Sequence, residues 1–472
     1  MTYPGAHIPP AKNSSYPLRM GNTVTPLIDG GPAFRKIADA VEKSRHSVWV
    51  TVAYLTEDFM MPDGYGSFFD LLDRTKNRGV DVRVIFWRSP VVASLIPADD
   101  IFHGFERHRK FLSDRATKFL IRWDRLEKTW CHHQKSWLID AGKNSEVAFL
   151  GGINLGNHSV VEPGHKNHAD GSTHDIYLEV RGPAATDVHH NFVQRWNEAS
   201  EKDLPDGIWP EKTMNSNLVF PKALSPTVGN IPVQVSRTVR RESYKDTTPA
   251  VETDPFPIVK GEFSCLEQYV SAIEMAQETI YMEDQALGSQ LIIEKFENAL
   301  ERGVEIVFVL PGKANGAMVR ALTDPRSKAF IDRLQGLGRF PNFTMAALAA
   351  DRGPGKYLDV YVHAKIAIVD GVWATIGSCN VADRSFYSDT EINASFWDKK
   401  TTRDFRNDLF KEHLGVDISN LADIEAFKLF KETALKNTFR RVSGEKLQGL
   451  AFQLNPAHYP AEEPWLPPLD AS

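Results

Sequence analysis

Apolar and polar positions fall into short blocks along most of the chain, and each block predicts one element. Phe34, Ile37, Ala38 and Val41 recur at helical spacing, and the run Ser47 to Tyr54 reads as a buried strand. The stretch SFFDLLDRTKNRGVDVRVIFW repeats that order, with a helix to Asn77, a stop at Gly79 and then a strand. Alternation of this kind predicts a βα sandwich around a mixed, largely buried sheet.

The plan then recurs. AIEMAQETIYME, around Ile273 to Glu283, parallels AVEKSRHSVWVT, around Val41 to Thr51. LERGVEIVFVLPG, around Gly303, parallels TKNRGVDVRVIFW, around Gly79. Both offsets are about 230 residues, and independent elements sharing one offset indicate duplication. Each half is expected to close with an amphipathic helix: VHHNFVQRWNEAS after Gly182-Pro183, and TTRDFRNDLFKEHLG stopped by Gly415. The expected organisation is a lead-in over residues 1–20, a first lobe over 21–215, a second over 216–430 and a tail over 431–472. The Pro-punctuated passage from Asp203 to Pro257 reads as the join between lobes. A helix is expected around Ile424 to Leu435, with a Pro-rich surface tail from Asn455 onward.

The most informative stretch is YVHAKIAIVDGVWATIGSCN, Tyr361 to Asn380. Val362, Ala364, Ile366 and Ile368 alternate as on a strand, so His363 and Lys365, two apart, are expected on one face of it. Asp370-Gly371 is a turn signal, and Trp373 to Ile376 reads as the return strand ending at Gly377, Ser378 and Asn380. The same device occurs in CHHQKSWLIDAGKNSEVAFLGGIN, with His133, Lys135, Asp140, Gly151, Gly152 and Asn154. The spacing His-x-Lys-x4-Asp is identical in both, again about 230 residues apart. Asp140 and Asp370 stand seven residues beyond their histidines, about 23 Å along a straight strand. They are therefore expected to hold turns and not to touch substrate.

This duplicated motif resembles the signature of the phospholipase D superfamily. The wider resemblance, to eukaryotic-type and secreted bacterial phospholipases D, runs from about Gly21 to Gly415 and includes GPAATDVHHNFVQRWN and GSCNVADRSF. It implies an α/β fold of two pseudo-twofold lobes facing each other across one active site. It also implies hydrolysis of a glycerophospholipid to phosphatidic acid and a free headgroup, with transfer to alcohols. By that analogy alone His133 attacks phosphorus and His363 protonates the leaving alcohol; the symmetry of the sequence does not choose between them. Lys135, Lys365, Asn154 and Asn380 are implied to hold the phosphoryl oxygens, Ser378 to donate to phosphate, and Gly152 to let the backbone approach. Asp175, on the strand after the first motif, is assigned to His133, and Glu391, on the matching strand, to His363. IYMEDQALGSQ resembles a family segment Glu-Asn-Gln-Tyr-Phe, but Asp284 replaces Asn and Ala286-Leu287 replace the aromatics.

Composition narrows the readings. With 472 residues and 42% hydrophobic positions the chain supports two cores, and a net charge of −6 argues against a nucleic-acid groove. A set of imidazoles, ammoniums and amides can act on a phosphodiester without a metal or cofactor, and none is expected. His158, His165 and His168 lie in a polar insertion that is a possible metal site but reads more simply as mobile loop histidines rimming the site. His132 is expected in the polar core, and Trp87, Trp130 and Trp137 in packing. Cys131, Cys265 and Cys379 suggest no disulfide framework. No apolar run spans a bilayer and the N-terminus lacks a signal-peptide core, which leaves a cytoplasmic or peripheral protein, a signal already removed, or another export route. The expected partners are a phospholipid and, transiently, a membrane surface, with no nucleic acid and a monomeric chain. A cardiolipin- or phosphatidylserine-type synthase, a nuclease and a non-catalytic scaffold are the alternatives.

Overall fold

The computed structural model describes residues 5–89, 102–127, 129–166, 172–204, 207 and 215–460. The first sheet is built from β1 (Arg19–Ile28), β2 (Ser47–Val52), β3 (Asp81–Trp87), β4 (Leu120–Asp124), β5 (Ser136–Ile139), β6 (Val147–Gly151) and β8 (Ile176–Arg181), with a short β7 (Thr173–His174) beside it. The second contains β9 (Ile231–Val239), β10 (Glu262–Phe263), β11 (Thr279–Glu283), β12 (Glu305–Val309), β13 (Phe343–Asp351), β14 (Tyr357–Val362), β15 (Ile366–Val369), β16 (Trp373–Gly377), β17 (Glu391–Trp397) and β18 (Ala451–Gln453).

The strand orders match. The first sheet runs β1-β8-β6-β5-β2-β3-β4, antiparallel as far as β2 and parallel from β2 to β4. The second runs β9-β17-β16-β15-β11-β12-β13, antiparallel as far as β11 and parallel beyond it. The duplication read from sequence offsets is therefore a duplication of topology. The sheets join edge to edge through β1 and β9. β6 and β8 pack against β16 and β17. Between them lies a shared core that includes Leu178, Val180, Ile376 and Ile392. Each lobe has a second core on its outer side, one around Phe34, Phe68 and Trp137, the other around Ile273, Phe296 and Trp373. Burying large apolar side chains at ~1.5–3 kcal/mol each makes these three cores the main source of stability.

Four expectations change. The passage Asp203 to Pro257 is not only a join: it contains β9, every residue of which is buried. Two of its polar residues are satisfied internally, Gln234 by Ala11 and Tyr16, Arg237 by Glu262 and Gln194. A strand with buried polar positions does not show the apolar-polar alternation that reveals a half-exposed one. The helix Pro183–Glu198, expected to be amphipathic, is buried almost all round because it packs on both β1 and β9 at the seam. The helix Asp423–Ser443 outlasts its expected end and is followed by β18, which pairs with β13, so residues beyond 430 build the second sheet. Finally, the motif does not lie on an unbroken strand. Tyr361 and Val362 pair with Thr173 and His174, whereas Ile366 onward pairs with β11, and the chain crosses between these ladders at residues 363–365. The amides of His363 and Ala364 both donate to the His174 carbonyl at that crossing.

Candidate active site

The crossings bring the two motifs together. His133 and His363 both line one cavity of about 280 Å³, with Tyr54, Asn154, Gln285 and Tyr361 also in its walls. Nδ1 of His133 lies 3.0 Å from each carboxylate oxygen of Glu391. Nδ1 of His363 lies 2.5 Å from Oδ2 of Asp175. The assignment of Asp175 to His133 and Glu391 to His363 is thus corrected: each histidine takes its carboxylate from the opposite lobe. The local cause is the backbone. The amide of His133 donates to the Thr390 carbonyl and that of His363 to the His174 carbonyl, the residues just before Glu391 and Asp175. A strand entering each motif therefore runs beside the other lobe's acid.

Each carboxylate fixes one tautomer by accepting the Nδ1 proton, which leaves Nε2 as the nitrogen with a free lone pair. Burial pushes His133 well below the ordinary imidazole range, and Lys135 and Lys365 push the same way. Burial and then Lys365 bring His363 down to about 3, against the pull of Asp175. Both rings are neutral at neutral pH. Burial raises Glu391 to about 7, opposed chiefly by Lys135.

The lysines stand behind the rings. Lys135 Nζ donates to the His133 carbonyl at 2.8 Å, and Lys365 Nζ donates to the His363 carbonyl. Burial lowers Lys135 to about 8 and lowers Lys365 as well. Asn154 lines the shared cavity, and Asn380 lines a larger one continuous with it. Both amide oxygens are buried without a protein partner.

Ser378 and Gly152 serve the carboxylates instead of the cavity, which corrects their expected phosphate-binding role. The Ser378 hydroxyl donates to Glu391 Oε2 at 2.6 Å and accepts from the Ile392 amide. A Cβ at Gly152 would collide with Asp175 Oδ1. Both small residues make room for, or orient, the acid that holds a histidine. Asp140 and Asp370 hold turns at the far ends of β5 and β15. Each has a left-handed backbone and accepts from consecutive amides: Arg45, His46 and Ser47 at Asp140, and Gln277, Glu278 and Thr279 at Asp370.

Sequence reasoning missed Tyr54 and Tyr361, which wall the cavity, and Asp29. His158 does rim the cavity. His165, read as a loop histidine, is fully buried, with Nδ1 2.6 Å from the Ser172 hydroxyl and Nε2 3.4 Å from Asp29; His168 lies outside the described residues. Asp29 also meets His174 Nδ1 at 2.9 Å, and Glu283 lies 3.0 Å from both His174 Nε2 and His413 Nε2. Despite burial, the carboxylates of Asp29 and Glu283 hold His174 well above its ordinary value, so it is an imidazolium between two anions from opposite lobes. Asp29, His165, His174 and Glu412 offer donor atoms within 4.8 Å of one another, as do His174, Glu283 and His413. His174 is common to both clusters and, as an imidazolium, donates from both ring nitrogens and has no lone pair for a metal, so these groups form a buried ion-pair network between the lobes. His132 is in the polar core, between Thr390 and Asp124.

Known proteins are similar to this chain over most of its length. Residues 269–413 match the family described as "Cardiolipin synthase, PLD-like domain", and residues 169–303 match "Phospholipase D". Phospholipase D gamma 3 of Arabidopsis thaliana is 23% identical, over 85% of this chain and 65% of its own. A cardiolipin synthase of Listeria innocua is 22% identical, over 84% of this chain and 70% of its own. Phospholipase D A of Dictyostelium discoideum is 24% identical over 85% of this chain but only 36% of its own. This chain therefore spans from about a third to somewhat over two thirds of the length of these relatives. A crystal structure of phosphatidylserine synthase from Haemophilus influenzae Rd KW20 superposes with a TM-score of 0.57 at 12% identity, covering 91% of this chain and 97% of that one. The chain belongs to the phospholipase D superfamily, and its two lobes have that superfamily's α/β fold.

Proposed function

We propose that this protein is a phospholipase D-type phosphodiesterase. It would cleave glycerophospholipids to phosphatidic acid and free headgroup through a phosphohistidine, and pass the phosphatidyl group to alcohols when they replace water. The observation that carries this reading is the pair of neutral imidazoles on one cavity, each oriented by a carboxylate of the other lobe. Nε2 of His133 attacks phosphorus, the bond from phosphorus to the headgroup oxygen breaks, and His363 gives that oxygen a proton. His363 is neutral in the free site, so it must take up this proton with the substrate. An anionic diester a few ångströms away, together with Asp175, favours that uptake. His363 then removes a proton from water or alcohol, which attacks phosphorus and frees His133. Lys135 and Lys365 place positive charge behind the developing phosphorane, where low dielectric strengthens it, and Asn154 and Asn380 offer amides to its oxygens.

The second reading is a phospholipid synthase, supported by the relative named cardiolipin synthase, which matches 70% of its own length. The two readings share the covalent step and differ in the acceptor. No helix among the described residues is long and apolar enough to cross a membrane, so contact with lipid in either reading would be peripheral and transient. We take the chain to act as a monomer without nucleic acid. The test is incubation with vesicles of mixed phospholipids, with and without ethanol, and identification of products by mass. Phosphatidic acid, replaced in part by phosphatidylethanol, is expected. Transfer only to the hydroxyl of a second phospholipid would favour the synthase, and no product from any phospholipid would reject both.

A further inference from the structure

The twofold that relates the lobes is broken at a position facing the site. Thr51 pairs with Ser136 and Glu283 with Ile366, the residues after Lys135 and Lys365, so Tyr54 corresponds to Ala286. A second register agrees: the Thr56 amide donates to the carbonyl of Leu155, and the Gly288 amide to that of Val381, each the residue after a site asparagine. In the first lobe the Tyr54 ring stands edge-on to His133, with centroids 6.1 Å apart. In the second lobe a single methyl, Ala286, occupies the matching place.

Ala286 forms part of the wall of a second chamber, of about 620 Å³. It opens from the first through Tyr54, His133 and Gln285, which line both. The two differ in chemistry. Beyond the shared residues the smaller chamber is polar, with Asn154, His158, Ser159 and Thr173. In the larger, Trp87, Ala286 and Met318 are buried apolar walls, and Ala317, Ala321 and Phe330 continue them along the helices Gly316–Thr323 and Lys328–Gly336. A diester bound between the two histidines has two arms leaving one phosphorus atom, and the walls offer one exit that is polar and one that combines an apolar part, around Trp87, Ala286, Met318 and Phe330, with a polar part that includes Arg326, Asp383, Arg384 and Asp389.

We propose that the larger chamber receives the apolar arm of the substrate, so that the missing ring at position 286 makes the length of that arm a determinant of turnover. This rests on the phosphodiesterase reading above and adds which side of the site holds the hydrocarbon. Each methylene removed from water by apolar walls favours binding, and a void of this size accepts a chain of many carbons, where a tyrosine would fill its entrance.

The test uses the full chain and a series of alkyl 4-nitrophenyl phosphates from methyl to dodecyl, kept below their micellar concentrations. kcat/KM should rise at least about tenfold from methyl to octyl. Ala286→Tyr, which restores the matching ring, should reduce the ratio of octyl to methyl kcat/KM about tenfold. Ala321→Trp, on the exposed side of the chamber, should reduce it in the same direction, so a folding failure of one variant leaves the other. A wild-type rate indifferent to alkyl length, or variants that keep the wild-type length dependence, would overturn the inference. Length-dependent turnover of the series without turnover of phospholipid vesicles would reject the glycerophospholipid reading and leave this one standing. Phospholipid turnover with a flat alkyl series would do the reverse.

Discussion

The two lobes share a scaffold strand for strand, yet they hold their histidines differently. His133 is held by Glu391, which accepts from the Ser378 hydroxyl and lies in reach of Lys135. His363 is held by Asp175, one oxygen of which accepts from the Ile176 amide. Beside His133 stands the ring of Tyr54, whereas the register position that matches it holds Ala286. One imidazole thus sits on a carboxyl that burial lifts to about 7, the other on a backbone-anchored carboxylate that, among the described residues, no hydroxyl donor reaches in the same way. Duplication supplies two equivalent bases. In the proposed mechanism, small differences in what surrounds them let one act as nucleophile and the other as acid.

The largest expected effect separates those roles. His133→Ala and His363→Ala should each lower kcat/KM on phospholipid by ~10³-fold or more. With a 4-nitrophenyl diester, whose leaving group needs no proton, His363→Ala should still release a burst of nitrophenol and accumulate a phosphorylated protein. His133→Ala should do neither. A burst from His133→Ala would assign nucleophilic attack to the second lobe.

Next come the exchanged carboxylates. Asp175→Asn and Glu391→Gln should each cost about 10–100-fold in kcat/KM, the usual scale for a group that orients a catalytic one. Double mutants read the pairing. Asp175→Asn should add little to His363→Ala, and Glu391→Gln little to His133→Ala, while the crossed combinations should multiply. Full additivity in the first two would restore the within-lobe pairing.

The pH profile carries a smaller, graded signature. Glu391 must be ionised to accept the His133 proton, so kcat at saturating substrate, where His363 already carries its proton, should fall about tenfold per unit below about 7. Lys135, held near 8 by burial, loses its charge above that and sets the alkaline limb. Glu391→Gln should remove the acid limb. Stability moves oppositely. A carboxyl raised from 4.5 to about 7 on folding contributes stability that is complete below 4.5 and lost as pH rises through 7. His363, lowered from 6.5 to about 3, contributes stability that is complete above 6.5 and lost as pH falls towards 3. Melting temperatures of wild type and Glu391→Gln across the neutral range should therefore converge on the acid side and diverge on the alkaline side, with the variant the more stable.

The smallest effect on chemistry belongs to the motif aspartates. Asp140→Ala or Asp370→Ala strips an acceptor from three consecutive amides and should cost ~1–3 kcal/mol of stability, seen as an earlier urea midpoint. The fraction that remains folded should turn over normally. A large loss of kcat in folded Asp370→Ala would contradict the turn-holding role.

What sequence reveals here is what is local or repeated. The offsets of about 230 residues, the two His-x-Lys-x4-Asp spacings and the turn role of Asp140 follow from chain distance alone. The exchange of Asp175 and Glu391 does not, because each strand entering a motif crosses to a ladder of the other lobe, and no spacing within one chain segment records that. Ser378 looked like a phosphate ligand because Asn380 beside it was read as one, yet its hydroxyl is spent on Glu391. β9 was hidden because its buried polar residues blur the alternation that marks a strand. His165 was hidden because its partners, Asp29 and Glu412, are far away in the chain.

The central claim is that the two lobes act on a single phosphorus atom. A crystal structure of the protein soaked in vanadate, which adopts the trigonal-bipyramidal geometry of the attacked phosphate, tests it directly. One vanadate per chain is expected between the lobes, bonded to Nε2 of His133 and with an axial oxygen within hydrogen-bond distance of Nε2 of His363. Vanadate on one histidine with the other out of reach, or two vanadates in separate cavities, would contradict the account.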